Sequence, residues 1–272
     1  MVDGRVDRRW LTNQEVLTEI SQLQSSRQYR DHQNLFYIEG VRNCLQVAQN
    51  DFDIVTVLYS EKLLIVTPAR QLVRKLRRNG IHTIKVTPEE FRRFSSRDKA
   101  SGIAAIVKQK WSKLHHLGKS GLCWIALEKV RHVGNLGSLM RTSEAIGGNG
   151  FIFMGKTIDP YQPDVIRATM GALFHQKLIR TSYPSLGHWI KRRNITVVAA
   201  SPDAKVDFHR FKYPPSTILF LGEERKGLSD RQKALCDSLI RIPMVGKSDS
   251  LNLAVAGSLL LYEIYKNRDI RH

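Results

Sequence analysis

Asn135 and Arg141 lie in a segment whose residue types suit the handling of a phosphate or of a developing negative charge. Residues 133–142 read Val-Gly-Asn-Leu-Gly-Ser-Leu-Met-Arg-Thr. A guanidinium offers a planar fork of donors to an anion, and an amide can orient it. If the glycines close a loop and a helix starts at residue 138, the two side chains can face one space. Taken alone, the segment also fits a turn asparagine and a solvated arginine.

A second segment carries acids and bases directly after an apolar run. Residues 219–221 are Leu-Phe-Leu, and they lead into Gly222, Glu223 and Glu224. The glycine would let another group approach the backbone closely. Glu224 is equally well explained as a surface acid, as an anchor of the loop, or as the ion-pair partner of Arg141.

A third segment joins a strand to a long apolar helix. Residues 242–253 read Ile-Pro-Met-Val-Gly-Lys-Ser-Asp-Ser-Leu-Asn-Leu. The helix that follows is apolar nearly all round, which predicts that it is buried. Asn252 near its start then needs a hydrogen-bond partner, and Ser248 or Ser250 could cap the helix.

Known nucleotide-binding and metal-binding patterns are missing from the sequence. None of the three segments is a G-x-G-x-x-G or a G-x-x-x-x-G-K-[ST] loop, so neither an ordinary dinucleotide site nor a nucleotide triphosphatase is indicated. The three cysteines lie far apart, and neither they nor the histidines have metal-ligand spacing. We therefore expect no metal, no disulfide and reduced cysteines packed in the core.

The elements that must position these segments alternate between strand and helix in the second half of the chain. Because both faces of each strand are apolar, the pattern predicts a parallel sheet covered by helices, with ligands at the carboxyl ends of its strands. The predicted strands are 123–127, 151–154, 178–181, 196–200, 217–221 and 239–242. The predicted helices are 138–146, 164–174, 186–193, 230–236 and 252–265.

The first half of the chain predicts a small α/β domain. Its strands are expected at 35–38, 53–58, 64–66, 83–86 and 103–107, with helices at 41–49 and 68–78. A stretch with little apolar periodicity separates the halves. We therefore predict a domain over 1–110, a linker over 111–120 and a second domain over 121–272.

The charge of the chain predicts a polyanionic partner. The 272 residues carry 43 Lys+Arg against 25 Asp+Glu, a net charge of +18. No segment pairs a basic face with a large apolar one, and none has 18 consecutive apolar residues, so we expect a soluble cytoplasmic protein that binds nucleic acid and no membrane. Solvated helix faces are the plainer explanation for each basic residue. The expected phosphate contacts are Arg74, Arg77, Arg78, Arg92, Arg93 and Arg97.

The three segments, in this order and at these intervals, resemble a known family. Asn-Leu-Gly-x-x-x-Arg-Thr at 135–142, Leu-Gly-x-Glu-x-x-Gly-Leu-Ser at 221–229 and Ile-Pro-Met-x-Gly-x-x-x-Ser-Leu-Asn at 242–252 are similar to the three motifs of the SpoU/TrmH RNA ribose 2′-O-methyltransferases of the SPOUT superfamily. The resemblance covers 121–268. Residues 35–42 and 101–107 are similar to the family's N-terminal RNA-binding domain, a ribosomal-protein-like α/β/α module.

This resemblance implies S-adenosylmethionine as methyl donor, a deep trefoil knot in the C-terminal sheet and a homodimer. It implies cofactor contacts, mostly through the backbone, from Leu221, Gly222, Ile242, Met244, Ser250 and Leu251. It implies a catalytic surround of Asn135, Arg141, Glu224, Ser250 and Asn252. One departure is that Leu253-Ala254 stands where the family usually has Val-Ser, which puts one hydrogen bond to the cofactor in doubt.

The resemblance points to a ribose of large-subunit ribosomal RNA as the substrate, and three alternatives stay open. One is a transfer RNA 2′-O-methyltransferase. Another is a ribosome assembly factor that binds RNA without transferring a methyl group. A base methyltransferase of the same superfamily is disfavoured, because the Asn-Leu-Gly-x-x-x-Arg segment resembles the ribose-modifying branch.

Overall fold

The computed structural model describes residues 11–96, 99–116, 123–155, 157–224 and 226–267. The chain divides into two compact units. Unit 1 is Met1–Lys110 together with Tyr161–Phe174, and unit 2 is Trp111–Pro160 together with His175–His272. Within the described ranges, no helix is both long and apolar enough to span a membrane.

Helices and strands alternate along most of the chain. The helices are α1 Asn13–Ser25, α2 Arg27–Gln33, α3 Val41–Gln49, α4 Thr67–Arg78, α5 Pro88–Phe94, α6 Val133–Ala145, α7 Pro163–Thr169, α8 Tyr183–Arg193, α9 Asp230–Lys233 and α10 Leu253–Lys266. The strands are β1 Leu35–Glu39, β2 Ile54–Tyr59, β3 His82–Lys85, β4 Ile103–Lys108, β5 Cys123–Glu128, β6 Gly150–Met154, β7 Lys177–Thr181, β8 Thr196–Ala200, β9 Val206–Asp207, β10 Thr217–Leu221 and β11 Ser238–Arg241.

Unit 1 is built on a four-stranded mixed sheet in the order β1-β4-β2-β3. Strands β1 and β2 run antiparallel to β4, and β3 runs parallel to β2, so β1, β2 and β3 end at the same edge. Helix α1 packs its buried Val16, Ile20 and Leu23 into the core of this unit. The predicted strand at 64–66 is wrong: these residues follow a turn at 61–63 and have no regular structure, and Val66 is the N-cap of α4. The Ser60 carbonyl accepts from the Leu64 amide at 2.8 Å.

The segment Tyr161–Phe174 belongs to unit 1, although the strands on either side of it, β6 and β7, belong to unit 2. The fully buried Tyr161 hydroxyl accepts from the Lys110 amide and donates to the Lys110 carbonyl, both at 2.9 Å. Its ring centroid lies 4.6 Å from that of Phe36, and Phe174 lies 5.5 Å from Phe52. The predicted helix over 164–174 is broken at Met170, whose φ of 52° is left-handed.

Unit 2 is built on a seven-stranded parallel sheet in the order β7-β6-β5-β10-β8-β11-β9, which confirms the predicted α/β fold. The central strand β10 is buried at every residue, as its unbroken apolar run predicts. Because the strands are parallel, the segments that follow β5, β8, β10 and β11 meet at one edge of the sheet. The trefoil knot that the resemblance implies stays a prediction.

Two helices of unit 2 differ from their predictions in ways that bear on the site. Helix α6 begins at Val133 and not at 138, so Asn135 lies in its first turn. Helix α10 is not buried all round. Leu251 just before it and Val255, Leu259 and Tyr262 along it are 38%, 51%, 43% and 54% exposed. Their spacing of three or four residues places them on one side of the helix.

Candidate active site

Side chains from the three motif segments are joined by one chain of hydrogen bonds. Asn252 is the N-cap of α10, where its Oδ1 accepts from the amides of Ala254 at 2.9 Å and Val255 at 3.4 Å. Its Nδ2 donates to Asn135 Oδ1 at 3.0 Å. Asn135 Nδ2 then donates to Glu224 Oε1 at 2.9 Å. We call this chain the amide relay.

The helix cap fixes the direction of the amide relay. Backbone amides can only donate, so the Asn252 oxygen must face α10 and its nitrogen must face Asn135. Asn135, which is only 8% exposed, must then present its oxygen to Asn252 and its nitrogen to Glu224. The relay therefore requires the Glu224 oxygen to be an acceptor, as an ionised carboxylate is. The cap itself is Asn252, and not Ser248 or Ser250 as the sequence suggested.

The loop that carries Glu224 is closed by its own backbone. The amide of Glu223 donates to Gly227 O, and the amide of Gly227 donates to Glu223 O, each at 2.9 Å. A Cβ on Gly222 would lie 2.5 Å from the Gly227 carbonyl carbon and oxygen. The group that approaches Gly222 is therefore the chain itself, and the turn is completed by Gly227 with a φ of +63°.

A cavity of about 380 Å³ lies beside this loop, where the segments that follow β8, β10 and β11 come together. It brings together all the residues that the resemblance assigns to the cofactor: Leu221, Gly222, Ile242, Met244, Ser250 and Leu251. Glu224 lines the same cavity, so the amide relay ends at its wall.

Further charged residues of the cavity were missed by the sequence reasoning. Asp203 follows the end of β8, and Lys226, Lys233 and Asp249 also line the wall. The signal that could have found Asp203 is its position in Ser201-Pro202-Asp203, directly after a predicted strand, because ligands bind at the carboxyl ends of parallel strands.

Comparison with known proteins identifies the family that shares these segments. The sequence model of the SpoU rRNA Methylase family matches residues 123–262, which contain every residue of the amide relay and of the cavity. The chain belongs to the SpoU family. Residues 13–105 match a second model, the MRM3-like substrate binding domain.

Solved structures and a curated relative agree with this membership. The AdoMet-bound rRNA methyltransferase from Sinorhizobium meliloti is 28% identical, with a TM-score of 0.85 over 94% of this chain and 95% of that one. The SpoU methyltransferase AviRb from Streptomyces viridochromogenes in complex with AdoMet is 26% identical, with a TM-score of 0.86 over 94% and 99%. A 23S rRNA (uridine(2479)-2′-O)-methyltransferase from Streptomyces viridochromogenes is 27% identical over 90% of this chain and 88% of its own length.

Arg141, the remaining motif residue of the SpoU family, lies away from the cavity within one chain. Because α6 starts early, Asn135 and Arg141 share that helix and are turned by roughly 120° from each other about its axis. Asn135 is buried, whereas Arg141 is exposed, and its side chain makes no hydrogen bond or ion pair with another described residue. The expectation that the two side chains face one space is therefore wrong for a single chain.

Helices α6 and α10 pack in parallel in this SpoU domain. Asn135 pairs with Asn252 near their starts, and Thr142 Oγ1 lies 2.8 Å from Ser258 Oγ one to two turns later. Between these contacts, Gly257 lets the helices approach, since a Cβ there would lie 2.4 Å from Leu139 Cδ2. The exposed Arg141 precedes Thr142 on α6, next to the helix that bears the exposed apolar side chains.

The arginines predicted to contact phosphates lie in unit 1, on α4 and α5. All that the structure describes are exposed: Arg74, Arg77, Arg78, Arg92 and Arg93. Arg97 lies outside the described residues. Arg77 donates to the Tyr59 hydroxyl and Arg92 is 3.6 Å from Glu89, so not all of them are bare solvated charges. No group of three or more potential metal ligands occurs in the described part of the chain.

Proposed function

We propose that this protein transfers a methyl group from S-adenosylmethionine to a ribose 2′-hydroxyl of large-subunit ribosomal RNA. The observation that carries the proposal is the amide relay, which ties Glu224 in the cavity wall to Asn135 and Asn252. A protein that only binds RNA has no physical need for such an ordered chain at a cavity. The names of the AdoMet-bound rRNA methyltransferase and of the 23S rRNA 2′-O-methyltransferase among its relatives support the same reaction.

The cavity fits the proposed cofactor. Its volume of about 380 Å³ falls within the range of small-molecule sites. Leu221, Ile242 and Leu251 offer apolar surface for a purine, while Asp203 and Lys233 offer charges of both signs for hydroxyls and for an amino acid end. When bound, S-adenosylmethionine supplies a methyl group on a positively charged sulfonium. The negative charge of the Glu224 carboxylate favours such a cation in the cavity.

Positioning is the larger part of the work of this chain in such a transfer, because the ribose oxygen must lie in line with the methyl group. In our proposal Arg141 holds a neighbouring phosphate in its planar donor fork and stabilises the developing alkoxide. A guanidinium stays protonated and is a poor proton acceptor, so the proton leaves to water or to a phosphate oxygen. Ser250 and the amide relay hold the loops that surround the donor.

A homodimer would complete the site. Val255, Leu259 and Tyr262 form an exposed apolar stripe on α10, and single chains rarely leave such a stripe uncovered. Helix α6, with its free Arg141, packs directly against α10. We therefore propose that a second copy packs on the stripe and brings its Arg141 to the cavity of the first.

We expect the protein to act in the cytoplasm on ribosomal RNA, and transfer RNA is the second candidate. The net charge of +18 and the exposed arginines of α4 and α5 support an RNA partner. Binding should therefore weaken steeply with salt, because each phosphate contact releases a counterion.

A direct test is to incubate the purified protein with labelled methyl donor and either ribosomal or transfer RNA, and then to map the label by nuclease digestion. Label on a ribose of large-subunit RNA is the expected result. Label on transfer RNA would overturn the proposed substrate, and label on a base would overturn the proposed reaction class. Tight RNA binding without any label would favour the alternative that the protein is a ribosome assembly factor that binds RNA and transfers no methyl group.

The position of Arg141 is tested by mixing two variants that are each expected to be strongly impaired in methyl transfer. If Arg141 acts across the dimer, a mixture of Arg141→Ala and Asn252→Asp regains activity, because one site of each mixed dimer has an intact cavity and an intact arginine. If Arg141 acts within its own chain, every site in the mixture stays defective and no activity returns.

A further inference from the structure

Unit 1 contains a second cavity, of about 300 Å³, whose polar lining is dominated by arginines. Arg70, Arg74 and Arg77 project from one side of α4, three and four residues apart, and Tyr59 at the end of β2 also lines the cavity. We call it the arginine cavity. It lies in unit 1, whereas the cofactor cavity lies in unit 2.

The arginine cavity carries a surplus of positive charge. Glu61 is the acidic residue of its lining, and Lys85 Nζ holds that carboxylate at 2.6 Å. The hydrogen bond from Lys85 lowers the pKa of Glu61 below its usual range, and the charges of Arg77 and Arg70 lower it further. With Glu61 neutralised by Lys85, the charges of the three arginines are left for another anion.

Two of the three arginines are held in place by neighbouring groups. Arg70 Nε donates to the Leu64 carbonyl at 2.5 Å. The Arg77 guanidinium donates to the Tyr59 hydroxyl and lies 5.4 Å from the centroid of that ring. The Arg74 side chain is exposed and makes no hydrogen bond or ion pair with another described residue. A fork that is already oriented binds an anion at a smaller entropic cost.

An exposed apolar residue follows one of the lining residues of the arginine cavity in the chain. Leu64 lines the cavity, and Ile65 follows it with 75% of its surface exposed. The turn beneath it is rigid, because Ser60 O accepts from the amides of Leu63 and Leu64. Ile65 therefore offers apolar surface one residue along the chain from Leu64, whose carbonyl accepts from Arg70.

We propose that the arginine cavity binds one unpaired nucleotide of the RNA substrate, with its phosphate on Arg74 and Arg77 and its base against Ile65. This inference rests on the proposed function for the identity of the polymer. Unpaired nucleotides are what proteins recognise in this way, since only a splayed base exposes its face to apolar side chains or guanidinium planes. In a duplex the bases are stacked, so Ile65 would meet only the backbone.

Binding of a labelled single-stranded RNA of roughly 12 nucleotides, a length within usual single-strand site sizes, tests the proposal by fluorescence anisotropy. The variants are Arg74→Ala, Arg74→Lys and Ile65→Ala, all at exposed positions. The matched control is Lys75→Ala, which removes the same charge from the same helix but lies outside the arginine cavity. We expect Arg74→Ala and Ile65→Ala to lose about fivefold or more in affinity, and Lys75→Ala less than about twofold.

Two further measurements distinguish a specific nucleotide site from the non-specific attraction of RNA to positive charge. Arg74→Lys should restore the salt dependence of RNA binding that Arg74→Ala loses, because lysine keeps the positive charge. It should not restore the full affinity, because lysine lacks the planar fork. A matched RNA duplex should compete poorly. Equal losses in Arg74→Ala and Lys75→Ala, an unaffected Ile65→Ala, or equal competition by the duplex would each overturn the proposal.

Methyl-transfer assays on the same preparations distinguish a failure of the nucleotide-site proposal from a failure of the proposed function. If the wild-type protein labels ribosomal RNA and Arg74→Ala does so equally at limiting RNA, the arginine cavity is not a substrate site. If the wild-type protein binds RNA through Arg74 and Ile65 but transfers no methyl group, the binding site stands and the enzymatic proposal fails.

Discussion

Asn252 donates through Nδ2 to Asn135 Oδ1 at 3.0 Å while its own oxygen caps α10, so one residue joins a helix end to the wall of the cavity. Replacing Asn252 by aspartate separates these roles. Aspartate caps a helix as well as asparagine does, but it has no donor for Asn135. If Asn135 turned its nitrogen toward the new carboxylate, its oxygen would face Glu224.

We therefore expect Asn252→Asp to fold with nearly wild-type stability and to lose methyl transfer by at least ~10-fold through misplacement of Glu224. Asn252→Ala should lose the cap as well, about 1 kcal/mol of stability. Urea denaturation and single-turnover transfer measure the two effects. Wild-type transfer by Asn252→Asp would show that the relay does not position the site.

Gly257→Ala should destabilise the protein by about 1–3 kcal/mol, since the new methyl group would lie 2.4 Å from Leu139 and 2.9 Å from Leu221. Gly134→Ala on α6 is the matched control, because nothing lies within 4 Å of a Cβ there. That variant should be neutral or slightly more stable, as alanine favours a helix. Similar denaturation midpoints for the two variants would contradict the packing described for α6 and α10.

Gly222→Ala should weaken binding of S-adenosylmethionine by at least ~10-fold, because a Cβ 2.5 Å from the Gly227 carbonyl would force the loop open. Gly246→Ala, where a Cβ meets nothing within 4 Å, should bind almost normally. Isothermal titration calorimetry gives both dissociation constants. A normal constant for Gly222→Ala would mean that the closed loop is not needed for the cofactor.

Leu259→Lys should give a monomer with little methyl transfer, since it places a charge in the centre of the apolar stripe on α10. Val206→Lys changes a residue of similar exposure, 43%, on a different element and should leave the dimer intact. Light scattering after gel filtration gives the mass. A wild-type protein that is monomeric at micromolar concentration would refute the proposed dimer.

Cys236 should be inert in the native protein. Burial raises the pKa of its thiol to about 12, with a further contribution from Asp237, and the thiol donates to Gln232 O. At pH 8 only about one thiol in 10⁴ is then ionised, and Cys44 and Cys123 are buried. We expect alkylation by iodoacetamide at least ~100-fold slower than for a free cysteine, rising with pH, and rapid modification of the cysteines in denaturant. Fast reaction at pH 8 would contradict this.

Much of unit 2 can be predicted from the sequence because its strands are unbroken apolar runs. The strands at 196–200 and 217–221 coincide with β8 and β10, since after a first threonine each is an unbroken apolar run with a buried interior. In unit 1, helix α1 was missed because its apolar positions are few among polar residues, although Thr12 and Glu15 form a capping box. Residues 64–66 are apolar but form the irregular segment that leads into α4.

The sequence predicted which residues share one cavity, but not how the side chains around it are arranged, and cofactor binding by these residues stays a prediction. The six positions that the resemblance assigns to the cofactor line one cavity. The register of α6 could not be predicted, because Gly134 and Gly137 argue against a helix that nevertheless starts at Val133. That register separates Asn135 from Arg141. Likewise, an apolar pattern does not tell a buried helix face from one that a second chain would cover.

Because Tyr161–Phe174 completes the core of unit 1, that unit is discontinuous in sequence and the chain passes between the two units three times. A gene fragment ending near residue 110 would therefore encode an unfinished fold in which Phe36 lacks Tyr161 and Phe52 lacks Phe174. Chimeras that exchange unit 1 between relatives would need to carry both stretches together, because a single junction would combine Phe36 and Phe52 with a Tyr161–Phe174 segment from another protein.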